Sequence, residues 1–218
     1  QTKQPVAQIF RGLLFISSLL MAIYSYTQVG LIVTHALMAV FPLLTVLLSG
    51  VFLKEEITRI KLVAVGVGFL GVIIIINPIN LQFSIVSFLP LISAVTFAIY
   101  AVLTRKVAST DNTETSFFWV SLVSAIAITI PSPLFYKPIQ FSDIYFLILL
   151  CMFSLVGHFL LTNAYRHAEA SVLQPFSYFH LFFASLVGIL FFQDPLTIST
   201  VAGGGLIVFG GILISRKS

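Results

Sequence analysis

Charged residues are scarce in this chain of 218 residues. Only 8% of the residues are Asp, Glu, Lys or Arg, whereas 59% are hydrophobic. A soluble domain usually devotes about 25% of its residues to charge. So few charged groups cannot build a surface that faces water, and we therefore expect lipid to be the solvent for most of the chain.

Cysteine and the common cofactor motifs are also almost absent. The single cysteine, Cys151, excludes an internal disulfide and a cysteine-rich metal site. The glycine-rich run "AGGGLIVFGG" (202–211) has no Walker lysine, so it does not predict a phosphate-binding loop. The formal net charge is +4, but the cations form no basic arm with interleaved aromatic residues. We expect no cofactor, no metal and no nucleic-acid partner.

Long apolar segments take up most of the chain. A helix needs about 20 residues to cross a bilayer, and eight segments approach that length: 12–29, 32–53, 60–77, 85–104, 116–135, 143–165, 171–192 and 197–215. Turn or charge signals separate them. The sequence predicts an all-α polytopic membrane protein with eight transmembrane helices.

The distribution of cations predicts how these helices are oriented. Lys and Arg in short loops favour the cytoplasmic side of a membrane. With the N-terminal tail inside and alternating spans, ten of the 11 Lys and Arg residues fall on the cytoplasmic side, and only Lys137 falls outside. We expect both termini to be cytoplasmic and the protein to lie in the cytoplasmic (inner) membrane.

Two segments of the chain read as copies with opposite orientation. "VFLKEEITRIK" (51–61) and "LFFQDPLTIST" (190–200) share a pattern, but Lys54, Arg59 and Lys61 are replaced by uncharged residues in the second. The same alignment pairs Tyr26 with Tyr165. Such inverted repeats are typical of secondary transporters. We expect a first repeat of three spans (1–80) and a second of five (81–218), the first lacking two N-terminal spans. The chain is then either a fragment or the product of a truncated gene.

Several motifs resemble one transporter family. Residues 11–78, with "FLKEEI" (52–57) and "GVGFLGVIII" (66–75), resemble spans three to five of the EamA-like branch of the drug/metabolite transporter superfamily. Residues 164–214, with "QPFSYFHLFFASLVG" (174–188), resemble the end of span eight to span ten. The resemblance implies a ten-helix inverted 5+5 repeat that carries small metabolites by alternating access. Within the family, the chain resembles S-adenosylmethionine-uptake and related metabolite carriers.

Histidines are the main candidates for a substrate site, because the predicted spans contain no carboxylate or cation at depth. His180 and His158 are expected near the midplane, where they would line one cavity, and His35 lies less deep. The motif "QPFSYFH" adds Ser177 and Tyr178. An alternative interpretation is that these groups form hydrogen bonds between helices, as polar side chains in membrane bundles do.

Further candidates are polar residues near span ends and prolines within spans. Tyr26, Tyr100 and Asn163 are predicted to contact substrate, with interfacial anchoring as the alternative for the tyrosines. Pro42, Pro90 and Pro175 are predicted to kink their helices and expose backbone carbonyls to a cavity. Small residues at helical spacing, Ala64, Gly68 and Gly71 among them, predict close contacts between helices.

The sequence therefore predicts a secondary transporter of a small organic metabolite and not an enzyme. Its expected partners are that metabolite and membrane lipids, and association into a homodimer is left open. Histidine titration is an alternative to a buried carboxylate for ion coupling. Two other functions remain open: a truncated membrane protein that does not transport, and, less favoured, an intramembrane enzyme, for which no G-x-S-x-G or H-E-x-x-H motif is present.

Overall fold

The computed structural model describes residues 2–76 and 85–215. Ten of the side chains within these ranges lie outside the description: Ile76, Ile85, Ser87, Val172, Pro175, Tyr178, Phe179, Phe182, Ile214 and Ser215. The described backbone is mostly helical and contains no strand, which confirms the predicted all-α class.

Ten α-helices make up the described part of the chain. Their bounds are α1 Pro5–Val29, α2 Leu31–Met38, α3 Phe41–Leu53, α4 Arg59–Ile76, α5 Leu89–Val107, α6 Thr113–Thr129, α7 Ile144–His167, α8 Ala170–Leu173, α9 Tyr178–Phe192 and α10 Ile198–Ser215. Six of the predicted spans each contain one long helix. The other two, 32–53 and 171–192, are each divided into two helices.

Four helical segments are long and apolar enough to cross a membrane. These are Pro5–Val29, Leu31–Leu53, Leu89–Val107 and Phe141–His167, and shorter apolar helices cover Thr113–Thr129, Phe183–Phe192 and Ile198–Leu213. Large apolar side chains on α7, such as Phe146 and Phe153, are exposed. An apolar surface of this extent indicates contact with lipid, and the chain is an integral membrane protein.

The two interrupted spans have related but different breaks. Between α2 and α3 the helix stops at Met38, and Pro42 lies in the first turn of α3. Between α8 and α9 the backbone forms a 3₁₀ turn over Gln174–Ser177, which contains Pro175. Proline has no backbone N–H to donate and is tolerated in the first turn of a helix. At the first break the backbone stays hydrogen-bonded: Ala39 N–H donates to His35 O at 2.9 Å, and Val40 N–H donates to Leu37 O at 3.3 Å.

Pro90 has a different place from the one predicted. Helix α5 begins at Leu89, directly after a 3₁₀ turn over Ile85–Phe88, and Pro90 lies in its first turn. A proline there starts the α-helix instead of kinking its middle. The predicted span began at residue 85, four residues before the α-helix does, and this is why Pro90 seemed to be internal.

Helices α4 and α10 are joined through small residues. A Cβ on Gly71 would collide with the backbone of Gly203, and a Cβ on Gly210 would collide with the backbone of Ala64. Without side chains at these points the two backbones approach closely, which is how membrane helices gain packing contacts. The repeat alignment equates Gly71 with Gly210 and Ala64 with Gly203, so each contact is the counterpart of the other.

Helices α3 and α9 end in the same way. Lys54 and Gln193 both adopt the left-handed conformation, with φ of 59° and 54°. In each case the next residue donates its N–H back to the helix: Glu55 to Ser49 O at 3.4 Å and Asp194 to Gly188 O at 3.1 Å. This left-handed termination satisfies carbonyls at a helix C-terminus. The division into repeats at residues 80 and 81 stays a prediction, and these matched ends support it.

Candidate functional site

A cavity of about 340 Å³ lies between the helices. Aromatic and aliphatic side chains form most of its wall, and two histidines, two tyrosines and two serines supply its polar side chains. A cavity of this size falls at the lower end of the range for small-molecule sites. The residues that line it are Phe15, Ser18, Leu19, Ala22, Tyr26, His35, Met38, Ala39, Phe41, Pro42, Phe97, Leu161, Tyr165, Ser177, His180 and Leu181.

Two histidines meet at this cavity. The ring centroids of His35 on α2 and His180 on α9 are 4.4 Å apart, and the rings are almost perpendicular at 87°. The ring of Tyr26 lies 5.1 Å from that of His35. His35 is buried, whereas His180 is exposed. Imidazole nitrogens both donate and accept hydrogen bonds, so this group can bind a polar substituent of a ligand in an otherwise apolar cavity.

Tyr165 and Gln174 are the counterparts of Tyr26 and His35 in the second repeat. Gln174 Nε2 donates to the hydroxyl oxygen of Tyr165 at 3.4 Å and to Ala170 O at 2.9 Å. The alignment equates Tyr165 with Tyr26 and Gln174 with His35. The two halves therefore place a tyrosine beside a polar residue at equivalent points, and the Tyr165 ring also lines the cavity.

His158 and Tyr100 form a separate cluster. The Tyr100 hydroxyl lies 3.1 Å from His158 Nε2, and the Phe15 ring contacts both residues, with centroid separations of 4.4 Å to His158 and 5.3 Å to Tyr100. Phe15 lines the cavity, but neither His158 nor Tyr100 does. Of the two histidines expected to share one cavity, His180 therefore lines it, whereas His158 contacts the Phe15 ring and does not.

The remaining predicted residues take different places. Ser177 lines the cavity, as does Pro42. Asn163 does not line it: its Oδ1 accepts a hydrogen bond from the Thr113 hydroxyl at 3.1 Å, joining the end of α7 to the start of α6. The side chains of Tyr178 and Pro175 lie outside the described part of the structure.

Arg11 is a residue that the sequence analysis missed. The predicted first span began at residue 12, but α1 begins at Pro5, so Arg11 lies within the helix and is fully buried. Its Nη2 donates to Ser116 O, and its guanidinium carbon lies 5.9 Å from the centroid of the Tyr100 ring. Arg11, Phe15 and Ser18 are spaced so that they share one face of a helix. This spacing could have indicated from the sequence that Arg11 faces the interior.

Asp194 is a second such residue. Its Oδ2 accepts hydrogen bonds from the backbone N–H of Leu31 at 2.6 Å and of Ile32 at 3.0 Å. The carboxylate therefore caps the first turn of α2, although it comes from the loop after α9. Nothing in the local sequence around Leu31 predicts a partner so distant along the chain.

The fold and the cavity define a class: a helical membrane protein with a mostly apolar binding space between interrupted helices. The model of the EamA-like transporter family matches residues 84–216, more than half of the chain. The chain belongs to this family, which confirms the resemblance seen in its motifs.

Several curated relatives extend the comparison. The riboflavin transporter of Brucella anthropi is 28% identical, over 89% of this chain and 71% of its own length. The pseudopaline exporter CntI of Pseudomonas aeruginosa is 28% identical, over 94% of this chain and 73% of its own. The S-adenosylmethionine uptake transporter of Rickettsia felis is 24% identical, over 95% and 71%. All three are named as transporters of small metabolites, although their cargoes and directions differ.

Proposed function

We propose that this protein is a secondary transporter that moves a small organic metabolite across the cytoplasmic membrane by alternating access. The observation that carries the proposal is the cavity, in which His35, His180 and Tyr26 meet beside two interrupted helices. Interrupted helices at corresponding points of two repeats are typical of transporter sites. The relatives' names support the coarser statement that the chain is a transporter of metabolites and not an enzyme.

In this proposal the apolar wall binds the body of the metabolite and the polar group orients it. His35 and His180 exchange hydrogen bonds with a polar substituent, since either imidazole nitrogen is a donor or an acceptor according to its tautomer. Tyr26 and Ser177 supply further hydroxyl groups. Because the wall is largely apolar, we expect each of these few polar contacts to contribute strongly to specificity.

Ligand binding tests the proposal directly. The purified chain is screened by thermal shift against adenosine and sulfonium compounds, amino acids and vitamins, with riboflavin and S-adenosylmethionine included. A ligand that binds the folded state stabilises it by about 2.7 kcal/mol at 100 times its dissociation constant. We expect at least one compound to raise the unfolding temperature, and His35→Ala and His180→Ala to weaken its binding at least tenfold.

His167→Ala is the matched control. His167 is exposed, its Nδ1 lies 2.9 Å from Asn163 O, and it does not line the cavity. The control should bind the selected compound as the unsubstituted chain does. Equal binding by all three histidine variants would remove the histidine pair from the site. Failure of proteoliposomes to exchange the bound compound across the membrane would refute transport itself.

The proposed orientation has its own test. Arg59 and Ile198 are equivalent in the repeat alignment, and both are exposed. In a Cys151→Ser background, Ile198→Cys should react with a membrane-impermeant maleimide added to intact cells, and Arg59→Cys should react only after lysis. Labelling of Arg59→Cys in intact cells would overturn the inverted arrangement and the cytoplasmic termini.

A further inference from the structure

A buried arginine lies one helical turn beyond the end of the cavity. Arg11 precedes Phe15 by four residues on α1, so the two side chains lie on the same face of the helix. Phe15 lines the cavity, and its ring contacts Tyr100, over which the Arg11 guanidinium lies. The Arg11 guanidinium is therefore linked to the cavity wall through the rings of Tyr100 and Phe15.

The guanidinium of Arg11 has N–H donors that make no hydrogen bond to the described residues. Its side chain is 0% exposed. Nη2 donates to Ser116 O, but Nε and Nη1 have no hydrogen-bond partner among the described residues. Buried polar groups are almost always hydrogen-bonded, and a buried charge that lacks a partner of opposite sign is strongly unfavourable.

Asp111, an acidic residue next to the start of α1, makes no hydrogen bond or ion pair with Arg11 among the described contacts. The Asp111 carboxylate accepts hydrogen bonds from the Lys3 N–H at 3.0 Å, from the Thr2 hydroxyl and from Gln8 Nε2 at 2.9 Å. The other unpaired acceptor on this side of α1 is Oε1 of Gln8, which is uncharged. The positive charge of Arg11 thus has no oxyanion in contact with it in the described structure.

We propose that Arg11 binds an oxyanion of the transported metabolite, a carboxylate or a phosphate, whose apolar body occupies the cavity. This inference rests on the proposed transport function and narrows its substrate to anionic amphipathic compounds. Each free N–H donates to one oxygen of the anion, and charge-assisted bonds of this kind are about twice as strong as neutral ones. Reorientation of the Phe15 ring joins the cavity to the guanidinium.

The test compares a carboxylate probe with its neutral amide, and adds a phosphate probe. Binding of 3-phenylpropionate, of its neutral amide and of phenyl phosphate is measured by calorimetry on the purified chain, on Arg11→Gln and on Arg11→Lys. We expect the unsubstituted chain to bind an anionic probe at least tenfold more tightly than the amide. The two anions distinguish carboxylate from phosphate. Arg11→Gln should weaken the preferred anion by about 10- to 100-fold and leave the amide unchanged.

Lys106→Gln is the matched control, because Lys106 is an exposed cation at the same end of the bundle. This substitution should leave the affinities for all three probes unchanged. If Arg11 only holds α1 against α6, its loss will change anion and amide binding by the same factor, and the proposal fails. If Arg11→Gln does not fold, Arg11→Lys decides, since an unchanged ratio of anion to amide affinity would also overturn the proposal. Binding of neutral metabolites at the histidine pair, with no binding of either anion, would overturn it and leave the proposed transport function intact.

Discussion

Removal of the Asp194 carboxylate tests a contact between segments that are far apart in the chain. Asp194 lies in the loop after α9 and accepts two backbone hydrogen bonds from the first turn of α2. The residue before that turn is Gly30, with φ of +84°, which makes no side-chain cap. A Cβ on Gly30 would lie 3.2 Å from Asp194 Oδ2, so the carboxylate occupies the space where a capping side chain would be.

The structure indicates the size of the effect. Loss of a capping side chain costs about 0.5–2 kcal/mol, and loss of a negative charge beside a helix N-terminus costs a further 0.3–1 kcal/mol or so. We therefore expect Asp194→Ala to lower the free energy of unfolding by about 1–3 kcal/mol. Asp194→Asn keeps an acceptor oxygen and loses only the charge, so its cost should be about 0.3–1 kcal/mol.

Thermal unfolding of the purified variants in detergent measures this cost. For a chain of about this length, 1 kcal/mol corresponds to about 2–4 °C in the unfolding temperature. Glu169→Ala is the control, because Glu169 precedes α8 and makes no side-chain cap. We expect Glu169→Ala to be the most stable of the three variants, Asp194→Asn to be less stable and Asp194→Ala to be the least stable. An unfolding temperature for Asp194→Ala equal to that of the control would refute the argument.

Two further predictions concern helix packing and pH. Gly71→Ala should lower the free energy of unfolding by about 1–3 kcal/mol, because its Cβ meets the backbone of α10. Gly66→Ala is the control and should be nearly neutral, because a Cβ there meets nothing within 4 Å. Equal unfolding temperatures for the two variants would contradict this prediction. Burial acts to raise the pKa of Asp111, but hydrogen bonds from Lys3 and its neighbours hold that pKa below its usual value. The ionised Asp111 therefore stabilises the fold above its unfolded pKa, and the difference in stability from Asp111→Asn should disappear as pH falls through the folded pKa. A difference that does not shrink between about pH 5 and pH 2, a range that includes the usual carboxyl pKa, would refute this.

The histidines illustrate how far sequence reasoning reached. It singled out His180 and the segment "QPFSYFH" as polar features within an apolar span, but it grouped His180 with His158 and placed His35 less deep. In the structure His35 contacts His180, and His158 lies behind Phe15. The rotation of each helix about its axis decides such pairings. In lipid this rotation leaves little trace in the sequence, because the membrane-facing and buried faces are both apolar.

Arg11 and Pro90 illustrate a second limit, the position of helix ends. Hydropathy marks where the apolar stretch begins, not where the backbone becomes helical. Helix α1 begins seven residues before its predicted span, and α5 begins four residues after. The first difference places a buried cation inside a helix, and the second places a proline at a helix start. Both residues therefore have a place in their helices that differs from the one expected.

The sequence by itself determined that this is a helical membrane protein, because a chain with so little charge must satisfy its backbone within helices in lipid. Its motifs also resembled the EamA-like family, to which the chain belongs. Only the tertiary structure decided which side chains meet: His35 with His180, Asp194 with α2, and Arg11 behind Phe15. These contacts join residues from different helices. They depend on the close packing of whole helices, which no local pattern in the chain encodes.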